Sequence, residues 1–245
     1  MIPIQTCVPV RYPPIANYAL IGLNGAVFLF QISLPAAEQE AFVYSFGLVP
    51  ARFTHPEWAL RVGLDPGSYL PFVTTMFLHG GWLHLILNMW SLWLFGGAVE
   101  DRLGSVRYLL FYVACGLFAG LAHAAANAES TVPAVGASGA IAGVMGAYMR
   151  LFPYSRIVLL VPILFLPLFF ALPAALYVAI WFILQVVQGT LATLQPQAGG
   201  VAWWAHIGGF VAGLVIVPLL HRPRRDYRPH YRDEGILGFR PREGR

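Results

Sequence analysis

Six stretches of this chain run for about twenty residues each with almost no charge, and that feature restricts the fold more than any other. They cover residues 17–34, 80–99, 106–126, 134–152, 172–194 and 202–220. A bilayer core about 30 Å thick is crossed by about 20 residues of helix. The composition agrees with such use: 58% of residues are hydrophobic and 11% charged, with a mean hydropathy of +0.66. Soluble domains carry roughly 25% charge, about twice that share. The expected fold class is therefore all-α, a polytopic membrane protein with a six-transmembrane-helix bundle. Its domains read as a cytoplasmic N-terminal segment (1–16), the membrane bundle (17–220) and an Arg-rich cytoplasmic tail (221–245).

Two connecting regions differ from the spans they join. The long first loop, about 35–78, is charged in places but includes the apolar run "YLPFVTTMFL", so part of it is expected to lie at the membrane interface. Residues 157–171 are apolar but contain Pro162 and Pro167, with Pro173 just beyond. Proline interrupts helices, so this region reads as an apolar connector. A seventh span across 157–171 is the alternative, and it would move the tail to the other side. The N-terminus lacks the basic start and compact apolar run of a signal peptide, so the first apolar segment is expected to stay as a span.

Orientation follows from arginine, since all fifteen basic residues are Arg. Six spans leave Arg52 and Arg61 on one side, with Arg11, Arg102, Arg107, Arg150, Arg156 and the eight tail arginines on the other. The excess marks the cytoplasmic side and puts both termini there. The tail reads as facing lipid headgroups rather than nucleic acid. Cys7 and Cys115, the two cysteines, lie in different surroundings and are not expected to pair.

Under this orientation the second, fourth and sixth spans run inward, and their polar residues gather near their outer ends. His84 and Asn88, four apart, share a helix face. Ser138 opens the fourth span and His206 lies in the first or second turn of the sixth. Polar groups are costly in lipid and tend to face one another or a cavity. With Arg150 at the cytoplasmic end, Ser138 lies roughly 18 Å further out, on the order of 10 Å below the outer surface. The preceding "STVPAVGA" must then be non-helical at membrane depth, which is tolerated only where protein buries it or it lines a wet cavity. Gly139 and Gly143, with Gly209 and Gly213, form two small-xxx-small faces. Such faces let helix backbones approach closely, which would bring Ser138 to His206.

A serine hydroxyl becomes a useful nucleophile when a base removes its proton, and histidine is the usual base. A helix start offers free N–H groups and a positive dipole end. The Ser138 N–H, the Gly136 region, His84 and Asn88 could therefore stabilise an oxyanion. The fourth and sixth spans contain no Asp or Glu, and Glu100 and Asp101 lie at the far end of the second. A Ser-His dyad is what the residues offer. Two histidines without an acid make a poor metal set, so no metal or other cofactor is expected.

The segments "HGGWLHLILNMWSLWLFGGAVEDRLG", "GASGAIAGVMGAY" and "AHIGGFVAGL", in that order and separation, resemble the signature segments of the rhomboid intramembrane serine proteases. The similarity covers about residues 17–220. It implies a rhomboid-like six-helix bundle with Ser138 as nucleophile and His206 as general base. It also implies His84, Asn88 and the Ser138 N–H as oxyanion donors, and cleavage of other proteins' transmembrane segments near their outer ends. Transmembrane protein substrates and the lipid bilayer are the implied partners, in a prokaryotic-type plasma membrane. Two departures stand out. Ala142 occupies the position where some members stack a Tyr on the base, leaving Trp181, Trp203 or Trp204 to position His206. The Trp-Arg pair of many first loops is not adjacent in "EWALRV".

Other polar residues are given structural roles. His79 is expected to brace the first loop, and His123, Asn127 and Glu129 to be solvated at the outer end of the third span. Glu100, Asp101 and Arg102 are expected to form a capping and ion-pair cluster. A catalytically inactive rhomboid-like factor that binds membrane proteins is the alternative function, and retention of both Ser138 and His206 argues against it. A channel or transporter should show internal repeats or charges at mid-membrane, and neither is found in the sequence.

Overall fold

The computed structural model describes residues 2–163, 166–194 and 202–221; all but the first residue of the expected tail lies outside them. In chain order the elements are β1 (Ile2–Thr6), α1 (Ile15–Ser33), α2 (Ala36–Phe46), α3 (Ala51–Thr54), α4 (Pro56–Arg61) and α5 (Pro71–Thr74). After a 3-10 turn at Thr75–Phe77 come α6 (Trp82–Leu103), α7 (Ser105–Ala126), α8 (Ser138–Leu151), β2 (Arg156–Ile163), β3 (Leu166–Pro173), α9 (Ala174–Leu194) and α10 (Trp203–Leu220). Among the described residues, five helices are long and apolar enough to cross a membrane: α1, α6, α7, α9 and α10.

The remaining expected span, opening at residue 134, is the shorter α8. Its 14 residues rise about 21 Å, less than the thickness of a bilayer core. Pro133 and the positive φ of Gly136, +128°, hold the preceding backbone out of helix. The first loop satisfies that backbone instead. Leu48 and Ala134 exchange N–H···O bonds of 3.0 and 2.9 Å, the Gly136 N–H donates to the Thr75 carbonyl at 2.9 Å, and the Thr75 hydroxyl donates to the Ala134 carbonyl at 2.6 Å. The four short helices α2–α5 thus give the loop a structure that clasps the approach to α8. Arg52 anchors it from within, donating to the carbonyls of Asp65 at 2.7 Å and Ser45 at 3.0 Å.

α8 is the centre of the bundle, buried from Gly139 through Tyr148 and packed against α6, α7, α9 and α10. Its contact with α10 is backbone to backbone. A Cβ on Gly209 would strike the Gly139 carbonyl, and one on Gly213 the Gly143 carbonyl. A Cβ on Gly143 would meet Cys115 at 2.5 Å and the Gly209 carbonyl at 2.9 Å. The two small-residue faces are therefore in contact, with no room for a methyl group between them.

Three sequence expectations change. The all-α class needs correction, because β1, β2 and β3 form an antiparallel sheet in the order β1-β2-β3. The connector 157–171 supplies most of β2 and of β3, which removes the seven-span alternative. Val, Ile and Phe favour extended backbone, and Pro162 faces Pro167 near the hairpin tip. One side of β2 enters the core through Ile157 and Leu159, whereas Leu166 and Phe169 of β3 are exposed. His123 is buried rather than solvated, 9% exposed, with the Asn127 amide 3.3 Å from its ring nitrogen, while Glu129 pairs with His55 at 2.8 Å. The acidic cluster caps as expected, but it caps α1. Glu100 accepts from the Ala16 and Asn17 N–H groups at 3.0 and 2.8 Å, and Asp101 accepts from the Tyr12 N–H at 3.0 Å. Arg102 lies over the Phe152 ring.

Candidate active site

Ser138 is the first residue of α8, where the backbone turns from the extended 133–137 segment into helix. The first i to i−4 bond into this helix runs from the Ile141 N–H to the Ala137 carbonyl. The N–H groups of Ser138, Gly139 and Ala140 precede it and have no intrahelical acceptor. His206 sits in the first turn of α10, brought alongside by the glycine contact. The Ser138 hydroxyl oxygen and His206 Nε2 are 2.8 Å apart, a hydrogen-bond distance.

On its other side, His206 Nδ1 is 2.6 Å from Gln185 Oε1 of α9. A neutral imidazole carries one proton. The Gln185 carbonyl oxygen can only accept, so the proton sits on Nδ1 and Nε2 is left as an acceptor for the serine hydroxyl. Gln185 is 7% exposed. The sequence reading gave it no role, although the rule that polar groups inside a span deserve a partner applies to "ILQVVQ" as well. Of the tryptophans considered there, Trp181 lies tilted 6.0 Å from the His206 ring and Trp203 meets it edge-on at 6.1 Å. Trp204 is directed toward Gly189.

His84 and Asn88, one turn apart on α6, converge on Gly136. A Cβ built on Gly136 would lie 2.7 Å from His84 Nε2 and 3.6 Å from Asn88 Nδ2. The missing side chain thus lets the His84 ring close directly onto the backbone at the start of α8, with Asn88 beside it. The Gly80 N–H donates to His84 Nδ1 at 3.3 Å. Nδ1 is therefore the acceptor of the neutral ring, and the proton lies on Nε2, the nitrogen next to Gly136. Asn88 is 6% exposed, and its Nδ2 is buried without a hydrogen-bond partner among the described residues. A buried donor without an acceptor costs about 1–3 kcal/mol, which is tolerable where an acceptor arrives during function. A cavity opens beside Ser138, walled by Met76, Gly116, Ala119, Gly136 and Ala205.

His79 braces the loop, as its position implied, but through its backbone. The Gln31 amide donates to the His79 carbonyl at 2.8 Å, and the His79 N–H donates back to Gln31 Oε1 at 3.3 Å. Its fully buried ring packs edge-on against His84 at 5.1 Å. Burial, with His84 adding a smaller effect, pushes its pKa down to about 4.

Comparison with known proteins gives a family-level match. A family model described as Rhomboid domain matches residues 66–223. The chain is 29% identical over 209 residues to Rhomboid protein 1, mitochondrial, of Saccharomyces cerevisiae, covering 83% of this chain and 53% of that protein. It is 32% identical over 140 residues to Putative rhomboid protease YdcA of Bacillus subtilis, covering 57% of this chain and 63% of that one. The Presenilin-associated rhomboid-like protein, mitochondrial, of Homo sapiens is 27% identical over 160 residues, 62% of this chain and 38% of its own length. The chain thus spans less than two thirds of each of these relatives. With the five apolar helices, the matches make it a multi-pass integral membrane protein whose exposed apolar flanks contact lipid.

Proposed function

This chain belongs to the rhomboid family, and from that premise we propose that it is an intramembrane serine endopeptidase. Its substrates are transmembrane segments of other membrane proteins, cut near their outer ends. The observation that carries the reading is the 2.8 Å contact between the Ser138 hydroxyl and His206 Nε2. His206 takes the hydroxyl proton as Ser138 Oγ attacks the scissile carbonyl. The carbonyl oxygen becomes an oxyanion beside Gly136, where His84 Nε2–H, Asn88 Nδ2 and the Ser138 N–H donate to it. Donors fixed in advance act where charge develops and need no reorganisation, which is worth several kcal/mol in the transition state. The tetrahedral intermediate collapses as His206 returns its proton to the leaving amine. A water, deprotonated by the same imidazole, then attacks the acyl carbonyl, and the acyl–Oγ bond breaks as His206 returns that proton to Ser138 Oγ. The side chains supply each proton transfer, so the scheme contains no cofactor.

The topology that goes with this reading has six spans, α8 being the short one, and residues 17–220 as the membrane domain. Arginine asymmetry puts both termini, including the tail 221–245, in the cytoplasm, and the first loop lies partly in the outer interface. A substrate would then meet Ser138 from the outer leaflet. A prokaryotic-type plasma membrane is the setting expected from the sequence; the relatives come from mitochondria as well as from a bacterium.

The test uses purified protein in detergent with a generic transmembrane substrate and a fluorophosphonate probe. Wild type should cleave and become labelled, while Ser138→Ala and His206→Ala should each abolish both. Cleavage that survives Ser138→Ala overturns the assignment. A folded wild type that neither cleaves nor labels supports the inactive, membrane-protein-binding alternative.

A further inference from the structure

The His206 imidazole contacts a side chain at each nitrogen, and the dyad uses only one of them. We propose that Gln185 is a positioning residue, the third member of a Ser-His-Gln relay that fixes His206 in its catalytically useful tautomer. The proposal rests on the assignment of Ser138 and His206 above and extends it to α9.

Gln185 sits between two groups, His206 Nδ1 at 2.6 Å from Oε1 and the Trp181 carbonyl at 3.4 Å from Nε2. A backbone carbonyl can only accept, so it requires the NH2 end of the amide. That leaves Oε1 for the imidazole. Turning the amide over would set two carbonyl oxygens against each other and present N–H to Nδ1. His206 would then carry its proton on Nε2, which could no longer accept one from Ser138. One orientation satisfies both neighbours and makes a base; the other serves the imidazole alone, sets an oxygen against the Trp181 carbonyl and makes no base.

The residue type suits its surroundings. A triad with a carboxylate in this place would keep an ionised acid on a membrane-spanning helix, where charge is costly. An amide supplies the acceptor and the orientation without net charge. It gives the imidazolium formed in the transition state a dipole rather than an anion, a weaker stabilisation. Ala142 offers no ring to the His206 face from α8, and the Trp181 and Trp203 rings stand about 6 Å from it. Ring packing therefore limits where the imidazole lies, whereas the Gln185 hydrogen bond sets which nitrogen is protonated.

Three variants in the full-length protein separate this role from a merely structural one. Gln185→Met keeps the volume and removes the acceptor. Gln185→Glu keeps an acceptor oxygen at the same reach, and if protonated it can also donate to the Trp181 carbonyl. Ser138→Ala gives the inactive baseline. The expected result is a kcat for Gln185→Met lower by on the order of 10²-fold, the scale of a lost general-base contribution, with KM close to wild type. Gln185→Glu should recover most of that loss. Independently of activity, ¹⁵N spectra of histidine-labelled Ser138→Ala protein should show His206 protonated on Nδ1. The resonance is assigned by its loss in His206→Asn, and adding Gln185→Met should shift it toward the Nε2–H form. Unchanged kcat in Gln185→Met, equal loss in the Met and Glu variants, or an unchanged His206 tautomer would each overturn the proposal. Should Gln185→Met misfold, the wild-type tautomer and the Glu variant still decide it: Nε2–H in the parent spectrum refutes it. Failure of the protease reading looks different, since cleavage would then persist in Ser138→Ala or be missing from folded wild type.

Discussion

Asn88 is buried, and its Nδ2 has no acceptor among the described residues, so an incoming acceptor would find a donor already in place. If the acceptor is the oxyanion, Asn88→Ala should lower single-turnover cleavage by about 10²-fold, as expected for loss of one preorganised donor, while substrate binding measured with Ser138→Ala stays unchanged. Gly136 is the counterpart of this requirement. At φ +128° an L side chain is strained, and its Cβ would sit 2.7 Å from His84 Nε2. Gly136→Ala should therefore abolish fluorophosphonate labelling even where the folded fraction survives. His79 supplies a pH effect. Its folded pKa is depressed to about 4 from an ordinary 6.5, so its share of stability is present above pH about 6.5 and is lost as pH falls toward 4. In detergent, the drop in unfolding temperature between pH 7 and 4.5 should be smaller for His79→Phe than for wild type.

At the level of elements, α8 and α10 are held by carbonyl-to-glycine contact, so that pairing sets the distance from Ser138 to His206. Gly213→Leu has no flexible neighbour to push aside, because the Gly143 backbone stands in its place. It should lower the thermal midpoint and remove labelling together. Gly22 and Gly25 on α1 have nothing within 4 Å of an added Cβ, and Gly22→Ala should leave both readouts at wild-type values. The Glu100 carboxylate, at the opposite end of the bundle from Ser138, accepts from two α1 N–H groups and from the Ser105 hydroxyl at 2.6 Å. Hydrogen bonds to a charged group contribute roughly 1.5–3 kcal/mol. Glu100→Ala should destabilise the fold by about that amount in denaturant titrations and leave fluorophosphonate labelling of the folded fraction at the wild-type level.

For the whole molecule, the bundle is antiparallel with two unlike ends. One gathers the first loop, the extended 133–137 segment and the site; the other gathers the acidic cap, β1 and the start of β2. In a background with Cys7→Ser and Cys115→Ala, an impermeant thiol reagent should reach Gly67→Cys in intact cells. Tyr154, 86% exposed in the turn after α8, should as Tyr154→Cys react only after lysis. The reverse pattern would invert the orientation drawn from the arginines.

How far the sequence went follows from the range of the forces involved. Apolar length sets the spans, so α1, α6, α7, α9 and α10 could be read to within four residues. The need to satisfy polar groups in lipid singled out His84, Asn88, Ser138 and His206. The sheet was not legible: 157–171 offers the same apolar run to a helix, a connector or a strand, and pairing with residues 2–6 selects the strand. Gln185 was missed for a related reason. A lone amide in an apolar span has no local signal for its partner, and only the packing of α9 against α10 brings its oxygen to His206. Local chemistry along the chain determined which groups had to find company inside the membrane; the tertiary structure decided which ones meet, because contacts between distant helices depend on how those helices fit together.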